Sequence, residues 1–209
     1  MKRSVLLSLV LALLAISLAC NALAGGGGSD NGGGSQPPVG SGDLEITVVN
    51  RSPDDICYVL ISESSDDTWG DDQLGSDEMI KPGASRVFGM DAGTYDVRLE
   101  TCDEAAMATA WEVSSDTTVT AGASGATVRL VVSNESTTEV CYVFISPTTA
   151  EDWGDDQMGE MESLQPDRLR VFYVEPGTYD LQVADCEGET LTEEYEVDLT
   201  EDLTWTLSD

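Results

Sequence analysis

The chain reads as an all-β protein, two tandem small antiparallel β-sandwich domains placed after a signal peptide and a glycine-rich linker. Three observations predict this. A short apolar run behind two basic residues opens the chain, a Gly/Ser/Pro tract follows, and the remainder matches itself at a constant offset of 84 residues. Within that remainder apolar residues alternate with polar ones, and each copy holds two cysteines.

Lys2 and Arg3 precede an apolar run from Val5 to Ala19, too short to span a bilayer comfortably but of the charged-then-apolar form of a secretory signal. Residues 1–19 are therefore expected to be a leader. Its end, Ser17-Leu18-Ala19-Cys20, resembles the lipobox of bacterial lipoproteins, in which the cysteine is lipidated and becomes the new N terminus. The leucine that usually stands three residues before the cysteine lies one place later here, at Leu18. The resemblance implies an exported protein held by a lipid on Cys20 at the cell membrane or cell surface. The alternative is cleavage after Ala22-Leu23-Ala24, which would secrete the chain and discard Cys20. Residues 20–43 carry the anchor cysteine and a linker of Gly, Ser, Pro and Asp with no apolar periodicity. As a coil, residues 25–43 would span about 25 Å on average, enough to hold a domain clear of lipid headgroups.

Composition narrows function by exclusion. The formal net charge is −31, and losing Lys2 and Arg3 with the leader leaves 7 basic against 40 acidic residues, or −33. Such a surface repels nucleic acid and anionic lipid, and it favours cations or basic partners. The plainer reading is that acidity keeps an exported, monomeric protein soluble. Histidine is absent. That removes the commonest general base and the commonest zinc ligand, and nothing else in the chain marks an enzyme or a resident cofactor.

The repeat pairs LEITVVNRSPDDICYVLIS with VRLVVSNESTTEVCYVFIS, TWGDDQLG with DWGDDQMG, and SRVFGMDAGTYDVRLETC with LRVFYVEPGTYDLQVADC. No gap is needed from Leu44 to Asp209, so the domains are expected over 44–125 and 128–209, joined at residues 121–126. The pairs Ile56/Val140, Leu60/Phe144, Leu74/Met158, Val97/Leu181 and Leu99/Val183 stay apolar and are expected to be buried. Asp54/Thr138, Arg98/Gln182 and Glu100/Ala184 change character, as solvent-facing positions do. Tyr95, Val97 and Leu99 alternate with polar residues, marking a strand with one buried face. The run from Ile56 to Ile61 is apolar on both faces, which suits a central strand. Six or seven strands per copy make a two-sheet sandwich.

Arg-Val-Phe, then Pro176-Gly177-Thr178-Tyr179-Asp180-Leu181, then Tyr195-Glu196-Val197 resemble the closing strands of prealbumin-like or carboxypeptidase-regulatory-like β-sandwich modules, an Ig-like architecture. The likeness covers about the last 40 residues of each copy; the first copy departs at Asp91-Ala92-Gly93, where the proline is missing. It implies a non-catalytic structural or binding module.

Cys57 and Cys102, like Cys141 and Cys186, stand 45 residues apart. Even numbers per domain in an exported chain predict one disulfide in each, closing a loop worth roughly 3–4 kcal/mol on the chain-entropy model. Metal binding by these thiolates would need four ligands from two domains without a Cys-x-x-Cys pair. Cys102 shares the parity of Asp96, Arg98 and Glu100, so its bridge is expected near the surface unless a bulge intervenes.

One loop per copy is left unexplained by strand patterning. Asp66, Asp67, Trp69, Asp71 and Asp72 in the first copy correspond to Asp152, Trp153, Asp155 and Asp156, with Glu151, in the second. Three readings apply. The aspartates cap backbone amides while the tryptophan folds over the sandwich, clustered carboxylates hold calcium, or Trp69 and Trp153 stack on sugar rings of a glycan. Asn50-Arg51-Ser52 and Asn134-Glu135-Ser136 match the N-glycosylation sequon but are read as turns ending a first strand.

Overall fold

Alternating apolar and β-branched residues produce twelve strands, six from each copy, and no helix among the described residues. The computed structural model describes residues 40–159 and 161–209; the expected signal peptide, Cys20 and the expected linker as far as residue 39 lie outside the described residues. The strands are β1 (Leu44–Asn50), β2 (Tyr58–Glu63), β3 (Ser85–Met90), β4 (Tyr95–Glu100), β5 (Ala106–Val113) and β6 (Thr117–Ala121). They recur as β7 (Val128–Asn134), β8 (Tyr142–Pro147), β9 (Arg168–Val174), β10 (Gly177–Ala184), β11 (Thr190–Leu199) and β12 (Leu203–Leu207).

In the first copy β3-β1-β6 faces β2-β4-β5; in the second β12-β7-β9 faces β8-β10-β11. Ile46, Val48, Phe88, Val97 and Leu99 fill the first core, and Leu130, Val132, Val143, Leu181 and Leu199 the second. The sheets are not purely antiparallel: the first strand of each copy pairs in parallel with the last, β1 with β6 and β7 with β12. Tyr95, the first residue of β4, and Tyr179, the third of β10, donate the phenol hydroxyl back to the Asp91 and Glu175 carbonyls, at 3.1 and 2.9 Å. The crossing from one sheet to the other is thereby fixed at the same point twice.

Several expectations need correction. The Ile56–Ile61 run is not a central strand, because β2 is the outermost strand of its sheet. Leu60 and Phe144 face its outer side and are half-buried, whereas the other four apolar pairs are buried. The repeat is gapless only until the end of its fifth strand. Val48 pairs with Val119, yet the matching Val132 pairs with Trp205 rather than with residue 203. Likewise Asp116 accepts from the Glu45 amide and Asp202 from that of Arg129. The second copy therefore has two extra residues, taken up at the end of β11, which runs to Leu199 where the constant offset would end it at Val197. A two-residue slip preserves strand parity, so T-V-T-A set against D-L-T-W at the constant offset still matches apolar to apolar, although its structural counterpart is T-W-T-L.

The copies also share a seam. β9 meets β5 in parallel at Ala106 and Arg170, making one six-stranded sheet of order β12-β7-β9-β5-β4-β2. Val131 and Val171, on the outer face of β7 and β9, join the apolar cluster of the first copy with Ala105 and Met107. Arg129 bridges Asp54 and Asp103, both at 2.8 Å, and Tyr173 donates to Asp54 at 2.9 Å. Asp54 is thus bound in the seam rather than solvent-facing and free to vary. Burial and the Asp54 charge push the Tyr173 hydroxyl well above the usual tyrosine range.

Arg170, buried against Phe172, donates to the Ala106 carbonyl at 2.8 Å and pairs with Glu162 at 3.1 Å. Glu162 in turn accepts from the Thr109 hydroxyl at 2.9 Å. The equivalent pair in the first copy, Arg86 and Glu78 at 3.0 Å, has no strand laid against it and leaves the Glu78 side chain 45% exposed.

Partial burial pulls the Asp103 carboxyl upward, but the Thr101 hydroxyl and Arg129 outweigh it and hold the group below the ordinary carboxylate range. A lowered folded value means that Asp103 stabilises the fold at neutral pH and stops doing so as the pH falls through about 4 and below. The melting-temperature gap between the wild type and Asp103→Asn should therefore narrow from pH 7 to pH 3. A gap unchanged over that range would show that the Arg129 contact does not depend on the Asp103 charge.

Candidate functional site

The acidic tryptophan loops lie along the free edges of β2 and β8. Asp72 Oδ1 accepts from the Val59 and Leu74 amides at 2.9 and 3.0 Å. Asp156 Oδ1 does the same for Val143 and Met158, at 2.9 and 3.1 Å. The Gln73 and Gln157 amides complete each patch by donating to the Val59 and Val143 carbonyls at 2.8 Å. A carboxylate and a short loop thus satisfy backbone groups that an outer strand would otherwise offer to another chain. Gly70 permits the close approach, since a Cβ there would stand 3.0 Å from the Ile61 carbonyl oxygen. In the second loop the Trp153 carbonyl accepts from the Ser146 hydroxyl.

The capping reading predicts a sharp division among the acids. Asp72→Ala or Asp156→Ala, each orphaning two amides, should cost about 2–3 kcal/mol, whereas exposed Asp71→Asn and Asp155→Asn should stay within about 0.5 kcal/mol. Urea titration of the four variants checks it, and equal effects would reject the division.

Asp66, Asp67, Asp71, Asp152 and Asp155 are exposed, and the loop acids are not brought to a common point. Among the described residues, the group whose ligand atoms all fall within 4.8 Å of one another is Glu139, Cys141 and Cys186. Its two sulfurs are joined in a disulfide and are not thiolates. The bridges are Cys57–Cys102 and Cys141–Cys186, with Cα separations of 5.0 and 4.8 Å. Cys102 and Cys186 are exposed, as the strand parity implied.

The tryptophans lie on the outer faces of the β2-β4-β5 and β8-β10-β11 sheets. Trp69 packs on Trp111, ring centroids 5.4 Å apart at 42°, and Trp153 packs on Tyr195 at 5.8 Å and 45°. A bulge in β5 and in β11 aims the second aromatic. Glu112 and Glu196, which follow it, hold φ of 53° and 57°, and their amides donate to Asp96 and Asp180 at 2.9 and 2.8 Å. A left-handed glutamate costs about 1 kcal/mol, yet both copies keep it. Trp111, Asp96 and Asp180 were not singled out from the sequence. The signal was an aromatic followed by Glu-Val at the same place in both copies.

The two faces differ. Arg98 lies over Trp69, its guanidinium carbon 5.7 Å from the ring centroid, and pairs with Glu100 at 2.8 Å. In the second copy Gln182 stands in place of Arg98, Tyr195 is 60% exposed, and a shallow cavity of about 200 Å³ opens beside the rings. Glu151, Asp152 and Asp180 line it.

The sequons are structural. Asn50 is fully buried; its Nδ2 donates to the Asp54 and Ile80 carbonyls at 2.7 and 2.8 Å, and its Oδ1 accepts from the Ser52 amide and hydroxyl at 3.0 and 2.7 Å. Asn134 repeats this with Thr138, Leu164 and Ser136.

The fold and this face define an all-β, disulfide-bonded double repeat with an aromatic surface. No family model matches the chain, and no curated protein matches it. Among solved structures, the Bacillus anthracis TIE protein aligns over 79% of this chain and 34% of that chain, at 8% identity and a TM-score of 0.26. The chain thus spans about a third of that structure's length, and a likeness this slight carries no argument about function.

Proposed function

We propose that the chain is an exported, lipid-anchored, non-catalytic binding protein. Its two β-sandwich repeats, of the Ig-like or prealbumin-like kind, hold an aromatic ligand face away from the membrane. The observation that carries this reading is the Trp153–Tyr195 pair, with Tyr195 60% exposed beside a cavity on the outside of a disulfide-bonded sheet. Exposed aromatics on a fixed support bind through large contact area at low entropic cost. The absence of histidine and the shallowness of the cavity favour binding over catalysis. The lipobox-like Cys20 and the linker behind it supply the tether.

Two experiments test the parts separately. Mass spectrometry of the mature N terminus should find a diacylated Cys20, and a free Gly25 end would refute the anchor. A panel of peptides and glycans should contain a ligand that wild type binds and Tyr195→Ala does not. If every ligand found is retained by Tyr195→Ala, the binding face lies elsewhere.

A further inference from the structure

The two copies offer an internal comparison, because one carries over its tryptophan a group that the other lacks. In the first, Arg98 supplies a cation over Trp69. Asp67 and Thr68 immediately precede that tryptophan, Asp96 stands two residues before Arg98 on β4, and Thr109 is the cross-strand partner of Arg98 on β5; in the second copy these positions become Glu151, Asp152, Asp180 and Glu193. Two acids are gained where the internal cation is lost. Asp180 and Glu193 both act electrostatically on the Tyr195 hydroxyl, and Glu193 accepts from Gln182 at 3.2 Å, so the added charge faces the exposed ring. The negative face of an aromatic ring attracts cations, and carboxylates at its rim add to that attraction.

We propose that the Trp153–Tyr195 face is a seat for an arginine side chain presented by a basic partner peptide, occupying the place that Arg98 fills in the first copy. The inference rests on the binding-face reading above and names its ligand class. Neutral sugar stacking would use the same rings, but it gives no role to the two added acids or to the loss of the internal cation.

The test uses the full-length chain and a short peptide with one arginine, against the same peptide with citrulline, which keeps the shape and removes the charge. The arginine peptide should shift the NMR signals of the Trp153 indole and Tyr195 ring saturably, and the citrulline peptide should bind at least about fivefold more weakly. Tyr195→Ala should weaken arginine-peptide binding by about fivefold or more. Gln182→Arg installs the missing side chain next to Glu193 and should abolish binding while the fold stays intact. Arg98→Gln should open a second seat at Trp69 and Trp111. Equal binding of the citrulline peptide, lost in Tyr195→Ala, would overturn the cation seat while leaving the aromatic face standing. Binding unchanged in both Tyr195→Ala and Gln182→Arg would overturn both, leaving general attraction to an acidic surface.

Discussion

Glu162→Ala is expected to lower the unfolding free energy by about 3–5 kcal/mol, the cost of leaving a buried guanidinium without its carboxylate. The Arg170 and Glu162 side chains are only 7% and 10% exposed, and they sit where β9 meets β5. Burial already pulls the Arg170 pKa below the ordinary arginine value, and Glu162 opposes that pull. Removing Glu162 takes away the carboxylate paired with this guanidinium and leaves the Thr109 hydroxyl without that acceptor. The duplication provides a control: Glu78→Ala removes the matching partner of Arg86, but Glu78 is 45% exposed and water can replace it. That change should cost about 1 kcal/mol. Paired urea titrations give both values, and equal losses would show that the seam adds nothing to the ion pair.

The second large effect belongs to the buried asparagines. Asn50→Ala or Asn134→Ala removes two donated and two accepted hydrogen bonds at a fully buried site, and should cost about 3–4 kcal/mol. Asn50→Asp is expected to be at least as severe, because a carboxylate would face the Asp54 and Ile80 carbonyls with nothing to donate. Thermal melts separate these changes from exposed Asn-to-Ala replacements elsewhere, and a cost under about 1 kcal/mol would mean that the β1–β2 connection is held by other contacts.

Much of the framework was legible in the residues. Alternation at Tyr95, Val97 and Leu99 located β4 and its buried face, cysteine spacing paired the disulfides, and the parity of Cys102 placed its bridge at the surface. What escaped did so for physical reasons. β2 looks central because its outer face carries Leu60 or Phe144 under partial cover, and sidedness cannot tell a covered edge from a paired one. The sequons predicted turns, but nothing local shows that the Asn50 amide is enclosed. The seam was hidden by the comparison itself. Asp54 differs from Thr138 because only the first copy uses this position in the seam, where it meets Arg129 and Tyr173, so its divergence was mistaken for freedom. At the candidate site Trp69 and Trp153 were visible as a shared motif. Their ring partners come from β5 and β11, more than 40 residues away, and only the folded sheet brings them together.

The position of β1 has a mechanical consequence. It is the first strand after the linker, yet it is the middle strand of its sheet, laddered to β3 on one side and β6 on the other. Inter-strand hydrogen bonds run across the strand direction. A pull entering at Leu44 along β1 therefore loads both ladders in shear and must break many bonds together, whereas a strand peeled from a sheet edge gives way one bond at a time. Force arriving from the direction of residue 43 would therefore meet both ladders of β1 at once, before it reached any edge strand of the sandwich.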